Sequence, residues 1–419
     1  MRQSPTPSRR VSSIAVLALT TALLGCGPAA TSSRHDSVDR HDKVDLNALY
    51  VNLASRDLNR SPLLRERILA DAHGYFRFIN PEFAQYVCNH FSETLASIPT
   101  VNLHGDAHLE QYAVTEVGRG LTDFDMTAAG PAMLDLIRFG TSIWLTVTVA
   151  GGDAVQARKL VDRFFDGYQT ALAAPDTVIE EPTIAKRIRA TFSTDRRLVL
   201  EQADRLMLPV AREREDFEAA LVQYAQMMRT DHPELAESFF TVKKFGRLKI
   251  GIGSALDEKY LIRIEGPTAD DGDDKLLEAK EVKDLSGISC VQGRPDAFRI
   301  MVGQSRLSYQ PYRYLGYAKS ADTVFWFHGW TDNYRELSFT TLTNYDELGE
   351  VVYDVGVQLG IGHPKQIASP LDAQLRRALI EYLDDQRKPL HLLIKDMTTL
   401  VTSAWQKAAS DLRAASQEN

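Results

Sequence analysis

Between Val101 and Asp125 the chain reads VNLHGDAHLEQYAVTEVGRGLTDFD. This sets His104, Asp106, His108 and Glu110 in a polar loop after one short strand, and Asp123 and Asp125 at the end of another. A hairpin turning at Gly118-Arg119-Gly120 joins the two clusters. Such a hairpin brings one carboxylate near a reacting hydroxyl and another near a metal ion. Phosphoryl transfer asks for that arrangement, because its catalysis is positioning plus charge neutralisation. Two other readings use the same residues. His104, Asp106 and His108 have a spacing that zinc accepts, but no nearby Cys or further His completes a tetrahedral set. Asp106 and Asp123 could instead be structural ion-pair acids with Arg77 or Arg138 as partners. The chain has neither a Gly-x-Ser-x-Gly elbow nor a His-Glu-x-x-His motif, which argues against the commonest hydrolase classes.

The elements that must carry these residues follow from the hydrophobic period. Helical spacing runs through 62–91, and strand-like alternation takes over from 98 to 124. Gly130-Pro131 then opens a helix that is apolar on most sides and stops at Gly151-Gly152, the pattern of a buried helix. Further helices are expected to Leu172 and over much of 180–237. Strands are expected at 247–252, 259–264, 275–279, 312–317 and 324–327, forming an antiparallel sheet, and helices return from Tyr345. The acidic run 268–275 lacks the spacing of a calcium loop and reads as a solvated turn. Within the strand region, Gly251-Ile252-Gly253-Ser254 could cradle phosphates on backbone N–H groups, and Lys280 on a later strand could pair with them. Taken alone, a glycine pair in a hairpin is usually only a turn.

His-Gly-Asp-Ala-His followed by Asp-Phe-Asp resembles the catalytic and metal-binding loops of aminoglycoside and choline phosphotransferases, members of the protein-kinase-like superfamily. The resemblance implies that Asp106 is the catalytic aspartate, acting as general base, in a catalytic loop with His104 and His108. It also implies that Asp123 is the principal metal ligand, with Gln111 and Asp125 as auxiliary ligands, and that Asp135 braces the loop from below. Gly251, Gly253, Ser254 and Lys280 would hold the phosphates of ATP or another nucleotide, with magnesium or manganese. Kinases ordinarily place the glycine loop before the catalytic loop, whereas here it follows, so the implied fold is α+β, bilobal, kinase-like and circularly permuted. That order is similar to the bacterial domain-of-unknown-function 2252 family. The similarity runs through Tyr75-Phe76-Arg77, Gly105-Asp106-Ala107-His108-Leu109-Glu110, Asp123-Phe124-Asp125, Gly130-Pro131 with Asp135-Leu136-Ile137-Arg138, and Gly251-Ile252-Gly253-Ser254. It continues through Ala279-Lys280-Glu281, Gly303-Gln304 and Tyr334-Arg335-Glu336-Leu337. Three positions depart from the pattern: Gln111 stands for Asn, Val302 for Glu and Phe78 for Gly. With Val302 there, Lys280 needs another partner, for which Glu281 and Gln304 are the candidates.

The 419 residues carry 48 Lys and Arg against 56 Asp and Glu, a formal charge of −8, which argues against a nucleic-acid partner held by phosphate contacts. At the start of the chain, Arg9-Arg10 precede an apolar run to Leu24, and Leu23-Leu24-Gly25-Cys26 resembles the lipobox of bacterial lipoproteins. The reading is a signal peptide over 1–25, a flexible tether over 26–45 and lipid attachment at Cys26. That places the protein in the cell envelope, anchored on the periplasmic side of a membrane. A helical lobe with the catalytic and metal loops is expected over 46–240, a β-rich nucleotide lobe over 241–338, and C-terminal helices packing on the helical lobe over 339–419. Cys88 and Cys290 could pair in an oxidising compartment if geometry allows. The expected function is metal-dependent phosphotransfer to an unknown acceptor. The alternatives are an inactive kinase-like module that binds an envelope or protein partner, and nucleotidyl transfer.

Overall fold

The computed structural model describes residues 45–56, 58, 61–210, 213–248, 257–293, 296–338 and 344–415. Cys26, Gly251, Gly253 and Ser254 lie outside them, as do the expected signal peptide and almost all of the tether. Residues 45–419 form one compact unit.

The chain begins with three short helices, α1 (Pro62–Ala70), α2 (Ala72–Phe78) and α3 (Asn80–His90). Pro sits in the first turn of α1 and of α3, and the Asp71 carboxylate caps α2 by accepting the Gly74 N–H. Next come β1 (Thr100–Leu103), β2 (Tyr112–Thr115), β3 (Arg119–Leu121) and β4 (Ala128–Pro131). β1 pairs antiparallel with β4, with Leu103 opposite Ala128, which brings the loop after β1 back beside the loop before β4. Gly130-Pro131 therefore ends a strand, and α4 (Met133–Val149) starts two residues later than the sequence suggests. α4 is buried on every side from Met133 to Val147, as an all-round apolar helix must be.

α5 (Ala154–Ala173) opens with a reciprocal cap. Asp153 accepts N–H groups from Val155 and Gln156, while the Gln156 side chain accepts the Asp153 N–H. α6 (Thr183–Arg189), α7 (Arg196–Leu206) and α8 (Glu213–Asp231) follow. Then come β5 (Val242–Arg247), β6 (Lys259–Ile264), β7 (Lys275–Glu281), α9 (Ala297–Leu307), β8 (Gly316–Ser320), β9 (Thr323–Gly329), β10 (Tyr334–Glu336), α10 (Tyr345–Gly362) and α11 (Leu371–Ala415). β5 precedes the strand expected at 247–252. β8 starts at Gly316 rather than 312, because Pro311 and a left-handed Tyr314, φ 56°, delay extended pairing.

The five described strands of the larger sheet run in the order β5-β6-β7-β9-β8, all antiparallel. α8 lies on this sheet and closes an aromatic core of Phe217, Tyr224, Phe240, Tyr260, Phe325 and Phe327. A second, larger core joins α2, α4, α5, α10 and α11. α5 and α10 approach backbone to backbone: a Cβ on Gly356 would lie 2.2 Å from the Phe164 carbonyl oxygen, and one on Gly167 2.3 Å from that of Tyr353. β10 leaves the larger sheet and pairs with β2 in a small sheet of order β10-β2-β3. Cys88 of α3 and Cys290, between β7 and α9, form a disulfide with Cα atoms 5.4 Å apart. The acidic turn is more than a solvated loop, since Asp274 is fully buried and ion-paired to Lys243 and Arg263.

Candidate functional site

The loop after β1 is held from beneath by α4. Asp135 accepts the N–H groups of His104 at 2.7 Å and Gly105 at 2.8 Å, and His363 Nε2 donates to it at 3.1 Å. Gly105 has φ 76°, and a Cβ there would lie 2.2 Å from the Met126 carbonyl oxygen, so only glycine permits this crossing. His104 is part of the brace: it is fully buried, its Nε2 faces the Thr122 carbonyl at 3.0 Å, and its Nδ1 faces the Asp106 N–H at 3.3 Å.

Asp106 is 9 % exposed, and Arg138 of α4 holds its Oδ1 through Nε at 2.8 Å and Nη2 at 2.5 Å. The Arg138 guanidinium stacks on Phe76 with 4.2 Å to the ring centroid. Gln111 Nε2 lies 3.5 Å from Asp106 Oδ2 and 3.4 Å from Asp123 Oδ2, between the two clusters. His108 is 1 % exposed and faces away from this line. Burial holds its pKa well below the usual histidine value, with Arg77, His73 and Arg138 adding to the effect.

Asp123 takes a left-handed backbone conformation, φ 59°, which is uncommon for a residue with a side chain and is found most often where function requires it. Lys280, from the middle of β7, reaches Asp123 Oδ1 at 2.7 Å and Asp125 Oδ2 at 3.0 Å. Val302 on α9 therefore leaves no charge unmet: the carboxylates of Asp123 and Asp125 take the lysine, while Gln304 accepts the Tyr312 N–H and Glu281 the Glu258 N–H. Burial alone would lower Lys280, but Asp123, Asp125 and Glu278 outweigh it and keep the ammonium charged. Burial pushes both carboxyls up. In Asp123 the Lys280 charge prevails and holds the group well below its usual range, whereas Asp125, by burial and by the neighbouring Asp123 carboxylate, is pushed up to about 7. Arg299 of α9 fixes the loop by donating to the carbonyls of Asp125 and Thr127, both at 2.7 Å.

Of these groups, Asp123 and Lys280 line a cavity of about 280 Å³ between the larger sheet and the helices, walled also by Arg67, Arg77, Lys259, Glu278, Tyr312, Trp326, His328, Trp330, Thr331, Tyr334 and Glu336. Lys259 on β6 stands opposite Lys280 in register and is 2 % exposed; burial lowers its pKa, and Lys280 lowers it further. Trp326 stands opposite Lys280 on β9, with the ammonium 5.4 Å from its ring centroid. His328 stacks between Trp326 and Tyr312 and pairs with Glu278 at 3.1 Å.

Asp106, Gln111, Asp123, Asp125 and Lys280 are thus brought together, His104 serves the backbone, and His108 packs behind. Sequence reasoning missed Lys259, Tyr312, Trp326 and the Glu278–His328 pair. Strand alternation puts Glu278 and Lys280 on one face, which was a usable signal, but Lys259 and Trp326 join them only through cross-strand register. Among the described residues, no cluster of three or more His, Cys, Asp or Glu gathers at metal-holding distance. No described helix is long and apolar enough to cross a membrane.

The fold and site define a mixed α and β protein with a lysine–carboxylate cavity where its larger sheet meets its helices. The chain belongs to the family described as "Uncharacterized protein conserved in bacteria (DUF2252)", which it matches over residues 56–195 and 181–410. No curated protein and no solved structure matches it.

Proposed function

We propose that the chain is a kinase-like protein of circularly permuted order that binds a nucleotide and a divalent metal in the cavity at Asp123 and Lys280 and transfers a phosphoryl group. The observation that carries this reading is the Lys280–Asp123 contact at 2.7 Å, made by residues 157 positions apart on the sheet and on the metal loop. Asp123 and Asp125 are hard oxygen donors, and Asp125 Oδ1 is buried with no hydrogen-bond partner, so the pair suits magnesium or manganese, which take one or two carboxylates and complete their shell from phosphate and water. Such an ion would neutralise charge on the transferring group. Lys280, Lys259 and the backbone of 251–254 would hold the phosphates, with Trp326 and Tyr312 beside them. Asp106 would take the proton of an acceptor hydroxyl as its oxygen attacks the terminal phosphorus and the nucleoside diphosphate leaves.

An envelope location, with lipid on Cys26, belongs to the same proposal. The Cys88–Cys290 disulfide supports it, because such bonds persist in oxidising compartments. Nucleotide is scarce there, which keeps a second reading in view, that of a binding module without turnover. The paired contact of Arg138 on Asp106 favours this second reading, since it occupies one of the two oxygens that would accept the proton.

Thermal unfolding of the full chain with and without nucleotide plus magnesium or manganese tests both. A ligand at a hundred times its dissociation constant stabilises by about 2.7 kcal/mol. The proposal expects a metal-dependent shift that Asp123→Asn removes, asparagine being a residue that tolerates φ above zero. A shift without turnover of nucleotide labelled in its first or last phosphate selects the binding module, and no shift with any nucleotide ends the nucleotide reading.

A further inference from the structure

The cavity wall is drawn from two sets of side chains: Lys259, Lys280, Trp326 and Tyr312 from the larger sheet and the segment before β8, and Arg67 of α1, Arg77 of α2, and Tyr334 and Glu336 of β10. Asp123 also lines the cavity, and Asp106 adjoins it across Gln111.

Arg77 is ion-paired with Glu110, so the unpaired charge on this wall belongs to Arg67. Arg77 is 8 % exposed. One of its nitrogens donates to Glu110 at 2.5 Å, and its Nε has no hydrogen-bond partner. Among the described residues no carboxylate pairs with Arg67, whose side chain is exposed and lines the same wall. The acid on this wall is Glu336. Desolvation by the surrounding groups pushes its carboxyl up, against the pull of Arg77 and the Tyr334 hydroxyl, which donates to it at 3.1 Å. Arginine is the side chain whose planar fork matches carboxylate and phosphate oxygens, and an unpaired one on a cavity wall is a receptor for such a group.

We propose that the Arg67–Arg77 set lining this cavity binds the acceptor by an oxyanion, a carboxylate or a phosphate monoester, and so selects acidic acceptors. This rests on the nucleotide reading for the word acceptor, but the anion site itself does not. Charge selection would then be divided within one cavity, with nucleotide phosphates at the two lysines and the acceptor's acidic handle at the two arginines.

Inorganic phosphate is the probe, and thermal unfolding of the full chain is the readout. The expected result has three parts. Phosphate raises the unfolding midpoint of the wild type, Arg67→Ala abolishes that rise, and the rise adds to the one produced by saturating nucleotide with magnesium. Arg67 is exposed, so its removal leaves the fold intact and the loss is interpretable. No phosphate shift in the wild type, or a shift that survives Arg67→Ala, overturns the proposal. A phosphate shift that nucleotide–magnesium displaces rather than adds to places the anion at the lysines and overturns it equally. Failure of the nucleotide shift alone, with the phosphate shift present and lost in Arg67→Ala, removes the nucleotide reading and leaves the anion site standing. Lys280→Met separates the two sets again, because it is expected to abolish the nucleotide shift and spare the phosphate shift.

Discussion

His108 follows Asp106 by two residues in the same loop, with both ring nitrogens buried and without a hydrogen-bond partner. Burial, Arg77, His73 and Arg138 all oppose its protonation, so the folded state refuses a proton that the unfolded chain takes up below about pH 6.5. The sign follows from linkage: the unfolded state binds more protons, so stability is full above that pH and falls as pH drops. His108→Leu is expected to flatten this acid loss by up to roughly 1.4 kcal/mol per pH unit. Urea unfolding of wild type and variant between pH 7 and 5 checks it, and parallel pH profiles would show that His108 is not the group responsible. Asp135 acts in the opposite sense. Burial raises it, but His363, His104 and the loop N–H groups outweigh burial and lower its pKa, so its contribution is present above the unfolded carboxylate range and is lost in acid. Asp135→Ala leaves two loop N–H groups and His363 without their acceptor. It is expected to cost at least about 3 kcal/mol, at about 1 to 3 for each of the three unmet buried groups, with the midpoint in urea as the measure.

At the scale of elements, the site depends on how closely helices and strands approach. Gly356 of α10 faces α5 where an added Cβ would lie 2.2 Å from backbone oxygen, which cannot yield as a flexible side chain does. Alanine gains about 1 kcal/mol of helix propensity over glycine, but overpacking costs about 1 to 3 kcal/mol, and the upper part of that range applies where backbone rather than a side chain must move. Gly356→Ala is therefore expected to lower the unfolding midpoint, and an unchanged or raised midpoint would mean the two helices can separate freely. The Asp123–Thr127 loop is fixed in a comparable way, by Arg299 on α9 reaching three carbonyls from one guanidinium. The position of Asp123 therefore depends on α9 although α9 contributes no charged group to the cavity wall.

At the scale of the whole molecule, contacts that span the chain hold the cavity together: β10 on β2, Lys280 on Asp123, and the disulfide from α3 to the segment before α9. The disulfide joins residues 202 positions apart, and cross-links over long loops restrict the unfolded chain most in the loop-entropy account. Replacing both cysteines, Cys88→Ala with Cys290→Ala, is expected to cost roughly 2 to 4 kcal/mol. Unfolding in the presence and absence of a reductant measures the same quantity, and coincident curves would show that the bond contributes nothing.

The sequence by itself determined what depends on local pattern. Val101–Asp125 announced a strand, a polar loop and a hairpin, and the all-round apolar run after Pro131 announced a buried helix, because hydrophobic period and turn chemistry act over a few residues. It also supplied the acids and the lysine of the site through the motif that Asp106, Asp123 and Lys280 share with a family. Only the tertiary structure decided that Lys280 is met by Asp123 and Asp125 rather than by Glu281 or Gln304, that Arg138 clamps Asp106, and that Lys259 stands beside Lys280. Those outcomes depend on strand register and on packing between segments up to about two hundred residues apart. In register, a one-residue slip turns every side chain to the other face, and no local pattern records which pairing wins.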